Sequence, residues 1–320
     1  MFEVRKTAKR VAEQSRLVQI DREALDAFTK ELSSQEPHAP PWDRFHHFSG
    51  SQEETVSYLL VLDTLNFCFW PPPGRGRWEV DYGGRSYSGY YALAVSLKKA
   101  MEAGFPLEDS HYLASLSMDS LQKILHGRGT LQLMEQRLES IREMGRVLLE
   151  SHHGRAQILV ASAGRSAVAL VRILSREISS FRDVATYGGG KVFFYKRAQI
   201  LAADLHAALE GEGSGVFNDM EELTAFADYK VPQVLRQKGV LRYAKALAER
   251  VDHRVLLDPG GDEEVEIRAN TIQAVELIRQ GLRDRGQNLT APEIDWLLWN
   301  LGQEDHFREK PYHRTITIFY

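Results

Sequence analysis

Apolar residues recur at three- and four-residue spacing through most of the chain, the period of helices with one buried face. Val56, Leu59, Leu60 and Leu62 mark such a helix over 53–66. Ala198, Leu201, Ala202, Leu205 and Leu209 mark another over 195–210. The same spacing predicts helices over 118–125, 131–149, 164–178 and 263–282, and two short ones within 1–32 that part near Ile20 and Asp21. Thr290 and Glu293 have capping-box spacing with Pro292 in the first turn, so a further helix opens there. Strand signals are few. Trp78, Val80 and Tyr82 alternate before Gly83-Gly84, which predicts a hairpin over 77–91. Residues 187–190 read as a turn, and 191–195 as either a strand or the entry to the next helix. The ending RTITIFY alternates and is expected to pair with the hairpin. The fold class is mainly α with a small antiparallel β-sheet.

The most informative stretch is 217–243. Leu223, Phe226 and Ala227 fall at helical spacing, Asp228 follows, and Pro232 lacks a backbone donor and pushes Val231 away from helical angles. Asp228 is therefore expected at the end of one helix, beside a forced bend. A second short helix is predicted over 233–238, Gly239 is placed as its C-terminal cap, and a third helix is expected to start near Leu241. A carboxylate among aromatic side chains at a helix break is costly without a partner, and such groups are candidate catalysts. An aspartate that caps a neighbouring helix accounts for the same residues.

Composition narrows the function. The chain has 320 residues, 43% apolar and 26% charged, enough for a large core. No internal repeat and no long linker divides it. A single domain over 1–320 is expected, with a possible subdivision into an N-terminal helical part with the hairpin (1–180) and a second helical part (181–320). The net charge of −4 argues against a broad nucleic-acid surface and favours a small phosphate-bearing ligand. The lone cysteine, Cys68, lies in the apolar run NFCFW and reads as a buried, inert thiol. No disulfide framework is possible, no apolar run is long enough for a bilayer, and the charged N-terminus lacks a secretory signal's apolar segment. A soluble, cytoplasmic protein is expected.

Three constellations could carry chemistry. Lys196 and Arg197 open a helix whose apolar face points elsewhere, where a cation could meet a phosphate or orient Asp228; a solvated pair at a helix start is the plainer reading. Trp296 and Asn300 share a helix face with Asp295 beside them, so an indole could stack on a base while the amide or carboxylate reads its edge. An amphipathic helix burying Leu297, Leu298 and Trp299 would explain the leucines alone. His46-His47, like His152-His153, are adjacent and poorly placed to share a metal, and no catalytic metal is expected. The loop at 211–215 lacks the Gly-Lys-Ser/Thr ending of a phosphate-cradling P-loop.

The blocks TLNFCFW, YSGYYAL, FYKRAQILAADLH, FADYKVPQVL, EVEIRANTIQAVELIR and DWLLWN together resemble the queuosine salvage proteins, the queuosine 5′-phosphate N-glycosylase/hydrolases, over nearly the whole chain. The resemblance implies an architecture like that of helix-hairpin-helix DNA glycosylases. It implies hydrolysis of queuosine 5′-monophosphate to queuine and ribose 5-phosphate, with no metal or cofactor. It makes Asp228 the catalytic carboxylate and puts Phe226 in the site and Lys196 near it. It makes Asp295, Trp296 and position 300 substrate-binding, and places a ligand-contacting histidine at His46. Asn300 departs from the family pattern, which has an aspartate there. The residue types suit the reaction: losing a base leaves positive character on the ribose, which a fixed carboxylate stabilises or captures. A 7-deazaguanine lacks the ring nitrogen that purine hydrolases protonate, so sugar-cation stabilisation matters more. The expected partner is the small nucleotide, bound by a monomer with no stable nucleic-acid complex. A base glycosylase acting on DNA or tRNA, or a non-enzymatic queuosine-binding module, are the alternatives.

Overall fold

Fourteen α-helices and six short strands make up the computed structural model, which describes residues 2–320. The chain begins with α1 (Glu3–Gln14), β1 (Val18–Ile20), α2 (Arg22–Ser34) and α3 (Gln52–Leu65). A hairpin, β2 (Glu79–Tyr82) and β3 (Arg85–Ser88), leads to α4 (Tyr90–Glu102), α5 (Ser110–Ala114), α6 (Met118–Ile124), α7 (Met134–Ser151), α8 (Ala156–Ala161) and α9 (Ala167–Glu177). A second hairpin, β4 (Val184–Tyr187) and β5 (Gly190–Phe193), precedes α10 (Lys196–Ala208). Then come α11 (Lys230–Gln237), β6 (Leu241–Tyr243), α12 (Lys245–Asp252), α13 (Asp262–Arg283) and α14 (Ala291–Leu301). The class is mainly helical, as the spacing predicts.

The strands form three separate two-stranded antiparallel ladders, β1–β6, β2–β3 and β4–β5, rather than one small sheet. Gly83 and Gly84 turn the predicted hairpin with φ of +55° and +78°, the left-handed angles a two-residue turn demands. The terminal RTITIFY segment is not a strand and does not join that hairpin. The hairpin's outer edge is already taken: Glu79 and Arg128 exchange backbone hydrogen bonds at 2.8 Å. The terminal segment instead makes one isolated bridge, Arg314 to Leu256, and its Tyr320 carbonyl accepts from the Cys68 N–H at 2.9 Å.

Residues 223–228 are extended, not helical. Their backbone groups find partners on side chains of three helices, which removes the need for a helical ladder. The Thr224 N–H donates to Gln199 Oε1 (2.8 Å) and the Phe226 N–H to Asp295 Oδ1 (2.8 Å), while the Ala227 carbonyl accepts from Arg268 Nε (2.9 Å). Asp228 consequently precedes a helix instead of ending one. That helix, α11, starts at Lys230, and Pro232 sits in its first turn, where no N–H is required. Gly239, with φ +75°, closes it, the Val240 N–H reaching back to the Leu235 carbonyl. The helix expected from Leu241 begins at Lys245, because Leu241–Tyr243 pairs with β1.

Helix α3 is buried on every side from Thr55 to Leu65. A helix end so deep needs partners for its last carbonyls. Two buried arginines supply them: Arg197 donates to the Asp63 and Thr64 carbonyls, and Arg137 to those of Leu65, Phe67 and Cys68. Phe67 lies against both guanidinium planes, at 4.2 and 5.0 Å. This knot fixes where the chain leaves α3 and so directs Phe69 and Trp70. One apolar cluster surrounds α3, α4, α7, α9 and α10; another joins α2, α11, α13 and α14. Among the described residues no helix is long and apolar enough to cross a membrane.

Candidate active site

Lys196, Ile200 and Asp204 fall on one face of α10, and that face lines a cavity of about 340 Å³. The sequence reading sets Lys196 away from the apolar face. In the structure α10 is buried all round from Lys196 to Leu205, and Lys196 is only 5% exposed. Opposite α10, Asp295, Trp296 and Asn300 of α14 line the same cavity, with Phe226 and Asp228 between the two helices. Six of the seven residues singled out from the sequence therefore meet in one place. His46 is the exception: it is not part of the cavity wall, whereas His47 is. The Nδ1 of His46 bonds the Asp43 carboxylate, which does line the cavity, so His46 stands one residue behind it.

Asp228 does two things at once. Its Oδ1 accepts the backbone N–H of Lys230 (2.8 Å) and of Val231 (3.0 Å), capping the first turn of α11. Its Oδ2 has no hydrogen-bond partner among the described residues, and Asp228 belongs to the cavity wall. Burial raises the Asp228 pKa above the usual carboxylate value, and the Lys196 charge and the two amides hold it down. Burial likewise lowers Lys196, against the pull of Asp228, Asp63 and Asp295. Four buried carboxyl groups, Asp63, Asp204, Asp228 and Asp295, thus share the field of one ammonium, and they do not all ionise. Asp228 has the most support for its anion. Asp295 has one amide, from Phe226, and is pushed well up by burial and then by the charge of Asp228.

One arginine ties down the chain beside both Asp228 and Lys196. Arg268, 2% exposed on α13, binds both oxygens of Asp183 (2.9 and 2.5 Å) and the Ala227 carbonyl (2.9 Å). Asp183 Oδ2 in turn accepts the Lys196 N–H at 3.2 Å. The chain on either side of the cavity is therefore tied to the same guanidinium. Replacing Asp183 by alanine leaves that buried cation only Glu264, at 3.2 Å, as its counter-ion, and a stability loss of about 1–3 kcal/mol for the donors left unpaired is expected in urea denaturation. A loss under about 1 kcal/mol would show that the tie carries little.

A directed hydrogen-bond chain closes the far side. Burial pushes the His47 pKa down to about 4, so the ring is neutral. Its Nδ1–H donates to the Asp43 carbonyl (2.7 Å), leaving Nε2 to accept from the Tyr90 hydroxyl (2.8 Å). The same Tyr90 hydroxyl has a second, longer acceptor in Asp204 Oδ2 at 3.5 Å, a carboxyl that burial pushes well above the usual carboxylate range. Tyr90→Phe leaves the His47 nitrogen without a donor. It is expected to cost about 1–3 kcal/mol, read as a lowered denaturation midpoint.

Sequence reasoning missed several of these groups. Asp204 had a signal, since it lies two turns beyond Lys196 on the same face. His47 had none: two adjacent histidines cannot be told apart before the turn that holds them is known. Trp42, Tyr90 and Trp299, and the cations Arg77, Arg254 and Arg314, reach the wall from separate segments. Among the described residues no group of three or more His, Cys, Asp or Glu is arranged to hold a metal ion.

A family model described as queuosine salvage protein matches residues 46–320. A protein of Sphaerobacter thermophilus named queuosine 5′-phosphate N-glycosylase/hydrolase is 49% identical over 314 residues, 98% of this chain and 96% of its own length. Proteins of the same name from Dictyostelium discoideum and Bos taurus are 37% and 34% identical, each covering 99% of this chain and 98% of their own.

Proposed function

The chain belongs to the queuosine salvage protein family, and from that premise we propose that it is a hydrolase cleaving the N-glycosidic bond of queuosine 5′-phosphate, releasing queuine for salvage into tRNA. The observation that carries the reading is Asp228: a buried carboxylate on the cavity wall, pinned by two amides through one oxygen, with the charge of Lys196 acting on it.

Asp228 acts on the ribose. As the C–N bond lengthens, positive character gathers at the anomeric carbon, and a fixed anion beside it lowers the barrier without having to reorganise. Asp228 either captures that carbon or steadies it while water attacks. Lys196 opposes the rise that burial causes in the Asp228 pKa and so favours its anion. Phe226 and Trp296, whose rings lie 6.5 Å apart, offer flat surfaces to the deazapurine. Asp295 and Asn300 supply polar groups to its edge. His46 contributes by fixing Asp43.

We take the working unit to be a monomer in the cytoplasm with a free nucleotide as substrate. The acidic net charge supports that choice over a nucleic acid. A single functional domain over 1–320 is supported by α1 packing on α13 and by β1 pairing with β6, which tie the first residues to the last third. The likeness to helix-hairpin-helix DNA glycosylases rests on α11, the Gly239 turn and α12, and fails if those elements do not superpose on such an enzyme.

The test of the reaction is incubation with queuosine 5′-monophosphate and mass-spectrometric detection of queuine. No release above a control without protein overturns the proposal.

A further inference from the structure

Asp63 is the one acid in the run YLLVLDTLNF and lies in the last turn of α3, 0% exposed. A carboxyl on a helix buried on every side is costly and needs a reason. Its hydrogen bonds do not supply one. Oδ1 accepts only from Asn66 Nδ2, at 3.4 Å, and Oδ2 is sealed from solvent with no partner. The Arg197 guanidinium is occupied by backbone: it donates to the carbonyls of Asp63 (3.0 Å), Thr64 and Ser180, not to the carboxyl. Nor does Asp63 touch the cavity, although Asn66, three residues on, lines it.

What stands in front of Asp63 is Lys196. The Arg197 bonds dock the first turn of α10 on the last turn of α3, so Lys196 starts its helix beside this carboxyl. The Lys196 ammonium makes no hydrogen bond among the described residues. It lies in the field of Asp228 on the cavity side and of Asp63 behind the wall. These are the two largest influences that hold its proton against burial; Arg197 opposes them and Asp295 adds less. Asp204 on α10, Tyr58 on α3 and Tyr90 on α4 also feel the Asp63 charge. Burial lifts the Asp63 carboxyl to about 7, while Asn66, Lys196 and Arg197 pull it down.

Two carboxyls on opposite sides of one ammonium need not act at the same moment. When Asp228 meets the positive ribose, by capture or by pairing, its charge is no longer free to balance Lys196. A buried ammonium left without any anion is strongly disfavoured. We propose that Asp63 is a positioning residue for the reaction, the inner anion that keeps the Lys196 ammonium charged and in place while Asp228 engages the sugar. This assignment rests on the hydrolase reading given above.

Asp63→Asn keeps the shape and a polar neighbour for Asn66 and removes the charge; Asp63→Leu removes both. Replacing an unpaired buried carboxyl by a neutral side chain is expected to leave the melting temperature at pH 7 equal or higher. In each variant kcat/KM for queuosine 5′-phosphate is expected to fall about 10-fold. The basic limb of its pH profile should move to lower pH, because Lys196 then loses its proton sooner. Adding Asp63→Asn to Lys196→Met should cost no further activity, since the residue acts through that ammonium. A second readout needs no turnover. A carboxyl whose pKa is raised by folding costs stability as pH rises, so the melting advantage of Asp63→Asn should grow between about pH 4 and about pH 7. In the Lys196→Met background that growth should move to higher pH. Near-normal kcat/KM, an unmoved basic limb, or losses from Asp63→Asn and Lys196→Met that simply add would each overturn the proposal. So would a lowered melting temperature in both Asp63 variants, which would make the residue a structural anchor. If the unmodified protein releases no queuine, the hydrolase reading fails instead. The melting curves then still decide the pairing: growth at an unchanged pH without Lys196 denies it.

Discussion

Asp228→Asn is expected to lower kcat for queuosine 5′-phosphate by about 10²–10³-fold or more while the fold survives. The asparagine oxygen can still accept the N–H groups of Lys230 and Val231, so the first turn of α11 keeps its cap. Only the negative charge on the cavity is gone, and that charge is what opposes the cation growing on the ribose. Asp228→Ala removes cap and charge together. Its rate loss should be of the same order, with about 1 kcal/mol of stability lost besides. Steady-state kinetics and thermal melts on the two variants separate the roles. Equal melting temperatures for both would deny the capping role. Near-normal turnover in Asp228→Asn would remove this residue from catalysis.

Of the two readings of Asp228 from sequence, a helix cap and a catalytic acid, the structure shows the first through Oδ1, and the proposed second role falls to the other oxygen. That could not be read from spacing, because it depends on where the chain before Pro232 runs. The apolar spacing of Leu223, Phe226 and Ala227 suggested a helix, and what defeats it lies far away in sequence: Gln199, Arg268 and Asp295 each satisfy a backbone group of the segment. Local pattern prevailed where a helix or turn closes on itself, as in the Gly83-Gly84 hairpin and the Thr290–Glu293 capping box. It failed where a distant partner decides, as at RTITIFY, whose expected neighbour was already paired with residue 128. The site shows the same division. Lys196, Asp295, Trp296 and Asn300 were legible because helix spacing puts them on faces. Arg77, Arg254 and Arg314 come from loops brought together only by the fold.

Lys196→Met tests the electrostatic core of the proposed site. Methionine keeps the length of the side chain in a position that is 5% exposed, so packing is largely conserved. The loss is the cation shared by Asp228, Asp63 and Asp295. Burial already raises the Asp228 pKa, and Lys196 is the largest influence opposing it, ahead of the Val231 and Lys230 amides and the Lys230 charge. The working form is the ionised carboxylate, so activity falls as pH drops through that pKa. Without Lys196 the carboxylate holds its proton to higher pH, and the acid limb of the kcat/KM profile moves upward. At pH 7 a loss of about 10²-fold is expected, with part of it regained as the pH is raised. A misfolded or merely loosened site would lose activity by the same factor at every pH. A profile that drops without moving would therefore mean that Lys196 serves the site by some route other than the charge of Asp228.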